Sequence, residues 1–476
     1  MTHDAVPRLS EATVSAAPRP SAVGILHLGL GAFHRAHQAV FTEDAGSGDW
    51  GICGVTQRTA TVVEQLRPQD CLFTVLERDR DLAGCRVIGS VREVLFAAGE
   101  AERLRDRFAD ERVRIVSLTV TEKGYRRAGS GRLDLTDPLV RQDLAGESAP
   151  RTVVGQLVRG LQARRASSAA PVTVLCCDNL TGNGEVVRGL VADFCAALPS
   201  AEGDQLAGWI EEQVRFPGTM VDRIVPATTA ADVAEVRARL GVRDEAVVVA
   251  EPFRQWVIED DFAAGRPAWE KAGAQFTTDV APYEAMKLRL LNGTHSLLAY
   301  LGALAGHDTI AGAVADPAIA EAAAGLQEQD VLPTLTVPAG VDATAYAAEI
   351  LARFANPALR HRTTQVAMDG SQKLPLRLLG TIRDRLAAGA TPYWATRAVA
   401  AWMVYVAVGR DRLGRPLPLD DPLADRLRQA AGGGREARSV VHGLLGVGEV
   451  FGHDLPECAA FRELLEESVA ELLDRS

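Results

Sequence analysis

The chain has 476 residues, of which 51 are Lys or Arg and 62 are Asp or Glu, giving a formal net charge of −11. That acidity argues against a general nucleic-acid binder, which needs a basic face to displace counterions from phosphates. With 47% hydrophobic residues there is ample material for about two or three buried cores, and no apolar run reaches the roughly 18–20 residues of a membrane-spanning helix.

The first 22 residues lack the apolar core of a signal peptide and read as a flexible leader. Order is expected from Val23. The run VGILHLG is short, apolar and partly β-branched and ends in glycine, the pattern of a buried parallel strand entering a turn. Similar runs follow at 51–55 (GICGV), 113–120 (VRIVSLTV), 172–177 (VTVLCC) and 246–253 (AVVVAEPF). Helical stretches such as VVGQLVRGLQARRA at 153–166 separate most of them, so the alternation predicts a parallel sheet covered on both faces. The seven cysteines are odd in number and form no C-x-x-C pair. They read as reduced, buried small residues of a cytoplasmic protein.

Composition changes near residue 280. Strand signals almost vanish, and Ala/Leu periodic segments such as AAEILARFA and ATRAVAAWMVYVAVG take over, punctuated by Gly, Pro and Asp. The expected organisation is a leader over 1–22, an α/β Rossmann-like dinucleotide-binding domain over 23–280 and a mostly α-helical domain over 281–476.

The first strand runs into GLGAFHRAH, with Gly29, Gly31, Phe33, His34 and Arg35. In a dinucleotide site the first glycine permits the tight turn and the second lets the backbone approach the pyrophosphate, while the helix that follows faces the anion. His34 replaces the third glycine of G-x-G-x-x-G, and an ordinary β–α turn would read the same way. His34 and Arg35 are expected to line the anion site or cap the helix. His34 and His37 lack a third ligand nearby, so no metal site is expected. The carboxylate that usually meets the adenosine ribose should follow the second strand, but Thr56, Gln57 and Arg58 stand there. Arg58 could accept a 2′-phosphate, which leaves NADP open beside NAD; a surface arginine is the plainer alternative.

YEAMKLRLLNGTHS at 283–296 carries the densest chemistry. On an α-helix, Asn292 lies about 140° and His295 about 80° from Lys287, so the three share one side of an otherwise apolar segment. A partly desolvated lysine has its pKa lowered toward neutrality and can take a proton, and an asparagine amide can donate to a developing oxyanion. A solvated lysine and a core histidine would give the same pattern. Tyr283 and Lys287 also form the Y-x-x-x-K pair of short-chain dehydrogenases, but the chain is too long and the glycine pattern differs from that family's.

These residues resemble the polyol-specific long-chain dehydrogenases, a family that includes mannitol 2-dehydrogenase and fructuronate reductase. The similarity covers nearly the whole chain from Val23. It is carried by GLGAFHRAHQAVFTEDA at 29–45, TVTEKGY at 119–125, CDNLTGNG at 177–184, PGTMVDRIVP at 217–226, EPFRQWVIEDDF at 251–262, K-x4-N-x2-H at 287–295 and DGSQKLP at 369–375. The resemblance implies metal-independent hydride transfer between NAD, or NADP, and a secondary alcohol, with Lys287 as general acid/base. It implies that Asn183 and Asn292 hold the reacting oxygen and that Asp222, His295 and Lys373 line the substrate pocket. It further implies that Glu284 relays the proton and that Thr121, Glu122 and the glycine turn serve the cofactor. Lys373 near Lys287 would depress the base further. Taken singly, Asp178 and Asn179 could cap a helix, Asp222 could pair with Arg223 or Arg289, and Lys373 could be solvated.

HRTTQVAMDGSQKLP at 361–375 looks closer to the fructuronate reductase branch, with Gln365 where an arginine is expected in mannitol enzymes. Arg362 or Lys373 could meet a substrate carboxylate. The expected reaction is D-mannonate/D-fructuronate or D-mannitol/D-fructose interconversion. The partner is a small polyol or sugar acid, with no nucleic acid or membrane, and a monomer is favoured. The alternatives are an enzyme like mannitol-1-phosphate 5-dehydrogenase and a non-catalytic nicotinamide sensor.

Overall fold

The computed structural model describes residues 6–14, 19–46, 48–79, 83–434 and 436–474. It divides into two compact units, Met1–Ala281 and Pro282–Ser476. Among the described residues no helix is long and apolar enough to cross a membrane.

Among the described residues the first unit has twelve strands: β1 Val23–Leu28, β2 Gly51–Thr56, β3 Phe73–Arg78, β4 Ala83–Ile88, β5 Val91–Phe96, β6 Ile115–Leu118, β7 Val172–Cys176, β8 Val214–Arg215, β9 Thr219–Asp222, β10 Val248–Ala250, β11 Gln255–Glu259 and β12 Gln275–Thr277. Six of them form a parallel sheet in the order β5-β2-β1-β6-β7-β8. The order reverses between β1 and β6, which is the switch point where doubly wound sheets bind dinucleotides.

Both faces of this sheet are buried, which is why its strands read as continuous apolar runs. Leu26, Leu28, Cys53, Val55, Val116, Leu118, Val174 and Cys176 point to one face and pack with the helices Ala101–Ala109, Val153–Ser167 and Asn183–Ala197. Ile25, Ile52, Ile115 and Leu175 point to the other, where Val40, Phe41, Trp256 and Trp269 cover them. The alternation follows from the two-residue period of a strand.

Three features depart from the sequence reading. The strand expected at 246–253 is only Val248–Ala250, and it pairs with β3 in a separate sheet, β10-β3-β4, rather than joining the parallel one. The strands β9, β11 and β12 form a third small sheet that sequence did not suggest, because runs of three to five residues carry too little periodicity. Finally, residues 1–5 and 15–18 of the expected flexible leader lie outside the described residues, while its described part is ordered. Leu9 is fully buried with Leu72 and Val242, and its N–H donates to the Arg243 carbonyl at 2.9 Å.

The second unit is helical. Its centre is the helix Tyr393–Val408, buried from Ala398 through Val406 and packed on Thr294–Leu304 and Ala459–Leu473. Among the described residues three segments are π-helical rather than α-helical: Lys287–Gly293, Leu326–Val331 and Pro375–Leu379. The first packs against both of the others.

Candidate functional site

In the first unit, the glycine turn follows β1 at the switch point. The N–H groups of Gly29 and Leu30 both donate to Val55 O at 2.9 Å, strapping the turn to the end of β2. Gly29 has φ +105°, and a Cβ there would stand 2.0 Å from Thr119 O, so no other residue fits. A Cβ at Gly31 would meet only Gly29 O at 3.7 Å, so the space in front of that backbone is open. Near the turn, the buried hydroxyls of Thr119 and Thr56 have no hydrogen-bond partner among the described residues. Thr121 and Glu122 follow β6 and are exposed. An open glycine backbone and unsatisfied buried hydroxyls are what a dinucleotide site needs, and the turn fits that group.

His34 and Arg35 do not face this opening. The turn leads into a helix of only five residues, Ala32–Ala36, which breaks at His37 before Gln38–Asp44. His34 is fully buried and stacks on His27 with ring centroids 3.4 Å apart. Arg35 is buried, lies over the Phe73 ring and donates to Ala246 O, with burial lowering its pKa to about 10. Both residues are taken up as packing beneath the turn. His37 likewise donates to Gln255 O at 2.9 Å, and Phe33 stacks on it.

The end of β7 is held by a carboxylate. Asp178 accepts from Val120 N at 3.0 Å and from the Tyr125 hydroxyl at 2.5 Å, which fixes the 120–125 loop rather than capping the next helix. Burial raises its pKa to about 7. Asn183 opens that helix fully buried. Its amide nitrogen lies 3.1 Å from Asp178 O, 2.8 Å from Thr219 O and 3.2 Å from Thr219 Oγ1, and its oxygen accepts from Thr219 N at 3.0 Å. Both N–H groups are thus engaged within the protein. As placed, Asn183 braces β7 to β9. Asp222 is buried at the end of β9, opposite Gln255. Of the two arginines suggested for it in sequence, Arg223 pairs with Glu77 at 2.6 Å and Arg289 with Asp384 at 2.6 Å.

In the second unit, Glu284 lies buried on the helix Ala281–Met286, and Lys287, also buried, opens the π-helical segment that carries Asn292. His295 follows on the next helix, stacked on Phe354 at 4.7 Å and edge-on to His361 at 4.8 Å. Burial, then the neighbouring His361, Arg377, Lys373 and Arg353, push His295 well below its ordinary pKa. His361 is lowered in the same way by burial and Lys373. Arg377 donates to Ser296 Oγ at 3.1 Å and reaches Asn292 O at 3.5 Å.

Lys373 is placed by an anchored turn. A Cβ at Gly370 would stand 2.4 Å from the Trp402 indole nitrogen, and Asp421 accepts from Ser371 N at 2.8 Å and Ser371 Oγ at 2.6 Å. The Lys373 amine then donates to the carbonyls of Val366 and Met368. The side chain of Arg362 is exposed, and its backbone pairs with Thr309. Sequence reasoning missed Arg353, His361 and Arg377. Only Arg377 left a signal, standing four residues after Lys373 on the same helical face. Among the described residues no group of three or more His, Cys, Asp or Glu is placed to hold a metal ion.

Comparison with known proteins gives the lineage. Residues 23–271 match the family model "Mannitol dehydrogenase Rossmann domain", and residues 279–473 match "Mannitol dehydrogenase C-terminal domain". The chain belongs to the mannitol dehydrogenase family. As a member of this family it is an oxidoreductase. It is 45% identical to D-mannonate oxidoreductase of Escherichia coli over 459 residues, covering 95% of this chain and 93% of that protein. It is 38% identical to mannitol 2-dehydrogenase of Pyrenophora tritici-repentis, over 94% of this chain and 79% of that one. Among solved structures, the Pseudomonas fluorescens mannitol 2-dehydrogenase in ternary complex with NAD and D-mannitol matches with a TM-score of 0.86 and 38% identity, covering 98% of this chain and 97% of that one.

Proposed function

We propose that this member of the mannitol dehydrogenase family uses NAD to interconvert a secondary alcohol and a ketone on a linear sugar acid, D-mannonate and D-fructuronate. The observation that carries the substrate half is the cationic surround of His295, where Arg353, Lys373 and Arg377 converge on two histidines that burial keeps neutral. A substrate carboxylate can take a charge-assisted hydrogen bond from one of these cations, a contact that a neutral polyol lacks. The 45% identity to a protein named D-mannonate oxidoreductase supports the same reading. The 38% identical structure that holds D-mannitol supports the second reading, a neutral polyol.

The bound nicotinamide supplies the hydride acceptor. Everything else falls to side chains. Lys287 accepts the hydroxyl proton as hydride leaves the carbon, and returns a proton when the ketone is reduced. Asn292 donates its amide N–H to the oxygen as that oxygen changes from hydroxyl to carbonyl. Glu284, three residues before Lys287 and buried, passes the proton on toward solvent. Asp222, His295 and Lys373 hold the substrate's other polar groups, and removing one leaves its partner unpaired. Gly29 and Gly31, with Thr121 and Glu122 beyond β6, hold the dinucleotide. Arg362, the other cation considered for the carboxylate, is exposed.

The test is a substrate panel of D-mannonate, D-mannitol, D-arabinitol and mannitol 1-phosphate with NAD⁺, following absorbance of the reduced cofactor. The highest kcat/KM is expected on D-mannonate. A preference for D-mannitol would establish the second reading, and turnover of mannitol 1-phosphate alone would overturn both.

A further inference from the structure

The cationic surround of His295 holds a second imidazole whose exposure differs. His361 stands edge-on to His295 with ring centroids 4.8 Å apart, while Phe354 stacks on His295 at 4.7 Å. His295 Nε2 is shut from solvent without a hydrogen-bond partner among the described residues. His361 is only partly buried, and neither of its ring nitrogens is sealed or hydrogen-bonded among the described residues. Both nitrogens of His361 are thus open to a ligand. Burial and the ammonium of Lys373 hold the ring below its ordinary pKa, so at neutral pH it is uncharged and carries one N–H donor.

The backbone around His361 is constrained. Among the described residues of the second unit, two that are not glycine adopt left-handed φ, Arg360 at +48° and Asp369 at +55°, and they bracket 361–368. Such conformations are costly for a residue with a Cβ, persist only where the surroundings fix them, and collect at ligand sites. Here the fixing contacts are on the page: His361 O accepts from Ile310 N at 2.9 Å, and Thr363 N donates to Asp308 O at 3.1 Å. Thr363 Oγ1 donates to His307 O at 2.8 Å, and Asp369 N to Asp420 O at 2.8 Å. The result is that Arg360 and Arg362 are exposed while His361 between them turns inward onto His295. The same segment seats Lys373, whose amine donates to the carbonyls of Val366 and Met368. Residues 353–368 carry three arginines and no acid, so the potential there favours an anion.

We propose that His361 is a specificity-determining residue, its N–H donating to the carboxylate of a linear sugar acid beside Lys373. A hydrogen bond to a carboxylate is stronger than one to a hydroxyl, so the contact favours the acid over a neutral polyol. His361 serves the acid end of the substrate and takes no part in proton transfer at the reacting carbon. This rests on the reading that the substrate is a sugar acid.

The experiment is steady-state kinetics of the full-length protein with NAD⁺ on D-mannonate and on D-mannitol, for the unaltered protein, His361→Phe and His361→Asn. Phenylalanine keeps a ring against His295 and removes both nitrogens, and asparagine restores an N–H donor. His361→Phe should raise KM for D-mannonate by about ten- to a hundredfold, the usual weight of a hydrogen bond to a charged group, and should change kcat by less than about threefold. KM for D-mannitol should change by less than about threefold. His361→Asn should have a lower KM for D-mannonate than His361→Phe. If thermal unfolding shows that the phenylalanine variant does not fold, His361→Ala carries the same comparison. A KM for D-mannonate unchanged by the substitution would overturn the proposal while leaving the sugar-acid reading standing. So would equal losses on both substrates, or a fall in kcat at constant KM. A higher kcat/KM on D-mannitol than on D-mannonate in the unaltered protein would remove the sugar-acid reading and the proposal together.

Discussion

Lys287 and Asn292 stand five residues apart on one π-helical segment, Lys287–Gly293. A π-turn closes between residues i and i+5, so Asn292 returns toward the side of Lys287, whereas on an α-helix it would lie about 140° away. The inserted residue thus brings Lys287 and Asn292 toward one edge of the helix. Single π-turns inside α-helices recur at functional sites, and this one is held by Arg377, which reaches both Asn292 O and Ser296 Oγ.

If Lys287 is the proton acceptor, Lys287→Ala should reduce kcat by about 10²–10⁴, the usual contribution of a general base, while dinucleotide binding measured by calorimetry persists. Tyr283→Phe should change kcat little. A larger loss from Tyr283→Phe than from Lys287→Ala would transfer the role to the tyrosine.

The two asparagines should separate by what they lose. On the proposed mechanism Asn292→Ala removes a donor to the reacting oxygen, and it should reduce kcat by about 10²–10³ with little change in Tm. Asn183→Ala strips partners from Thr219 and from the Asp178 carbonyl, all buried, and should cost about 1–3 kcal/mol of stability. Thermal unfolding alongside kinetics distinguishes them. A stable Asn183→Ala protein with the greater kcat loss would return Asn183 to the reacting oxygen.

What sequence revealed here follows from how each feature is encoded. Gly29 was legible because a left-handed φ and a 2.0 Å approach to Thr119 O admit no side chain, and β1 was legible because burial on both faces makes an apolar run. The π-segment was not, since an extra residue in a helix leaves the apolar pattern almost intact. Nor could sequence tell that the Asn183 amide is engaged by Thr219, 36 residues away, or that Arg35 turns to the carbonyl of Ala246. Those outcomes depend on long-range contacts that no local pattern records.

Activity should persist in excess EDTA, because in the proposed mechanism one lysine and one amide donor serve the proton and the oxygen. Loss of activity in chelator, restored by added zinc, would contradict the lysine mechanism.

Acid should destabilise the first unit. Burial lowers His27 and His37 each to about 3 and holds His34, stacked on His27, well below its ordinary value. In the unfolded chain these rings titrate near 6.5. Between that pH and about 3 the unfolded chain binds more protons than the folded one. The stability these rings contribute is therefore complete above about pH 6.5 and declines as pH falls toward 3. Asp178 acts in the opposite sense: raised to about 7, it keeps a proton in the folded chain that the unfolded chain releases down to about 3.8, so acid relieves the cost of burying it. Glu43, also raised by burial, acts with it; three histidines oppose these two carboxyls, and the net expectation is a lower Tm at pH 5 than at pH 7.5. His34→Phe keeps an aromatic ring against His27 and removes one titrating group, so it should flatten the dependence. A Tm that rises on acidification would mean that Asp178 and Glu43 outweigh the histidine core.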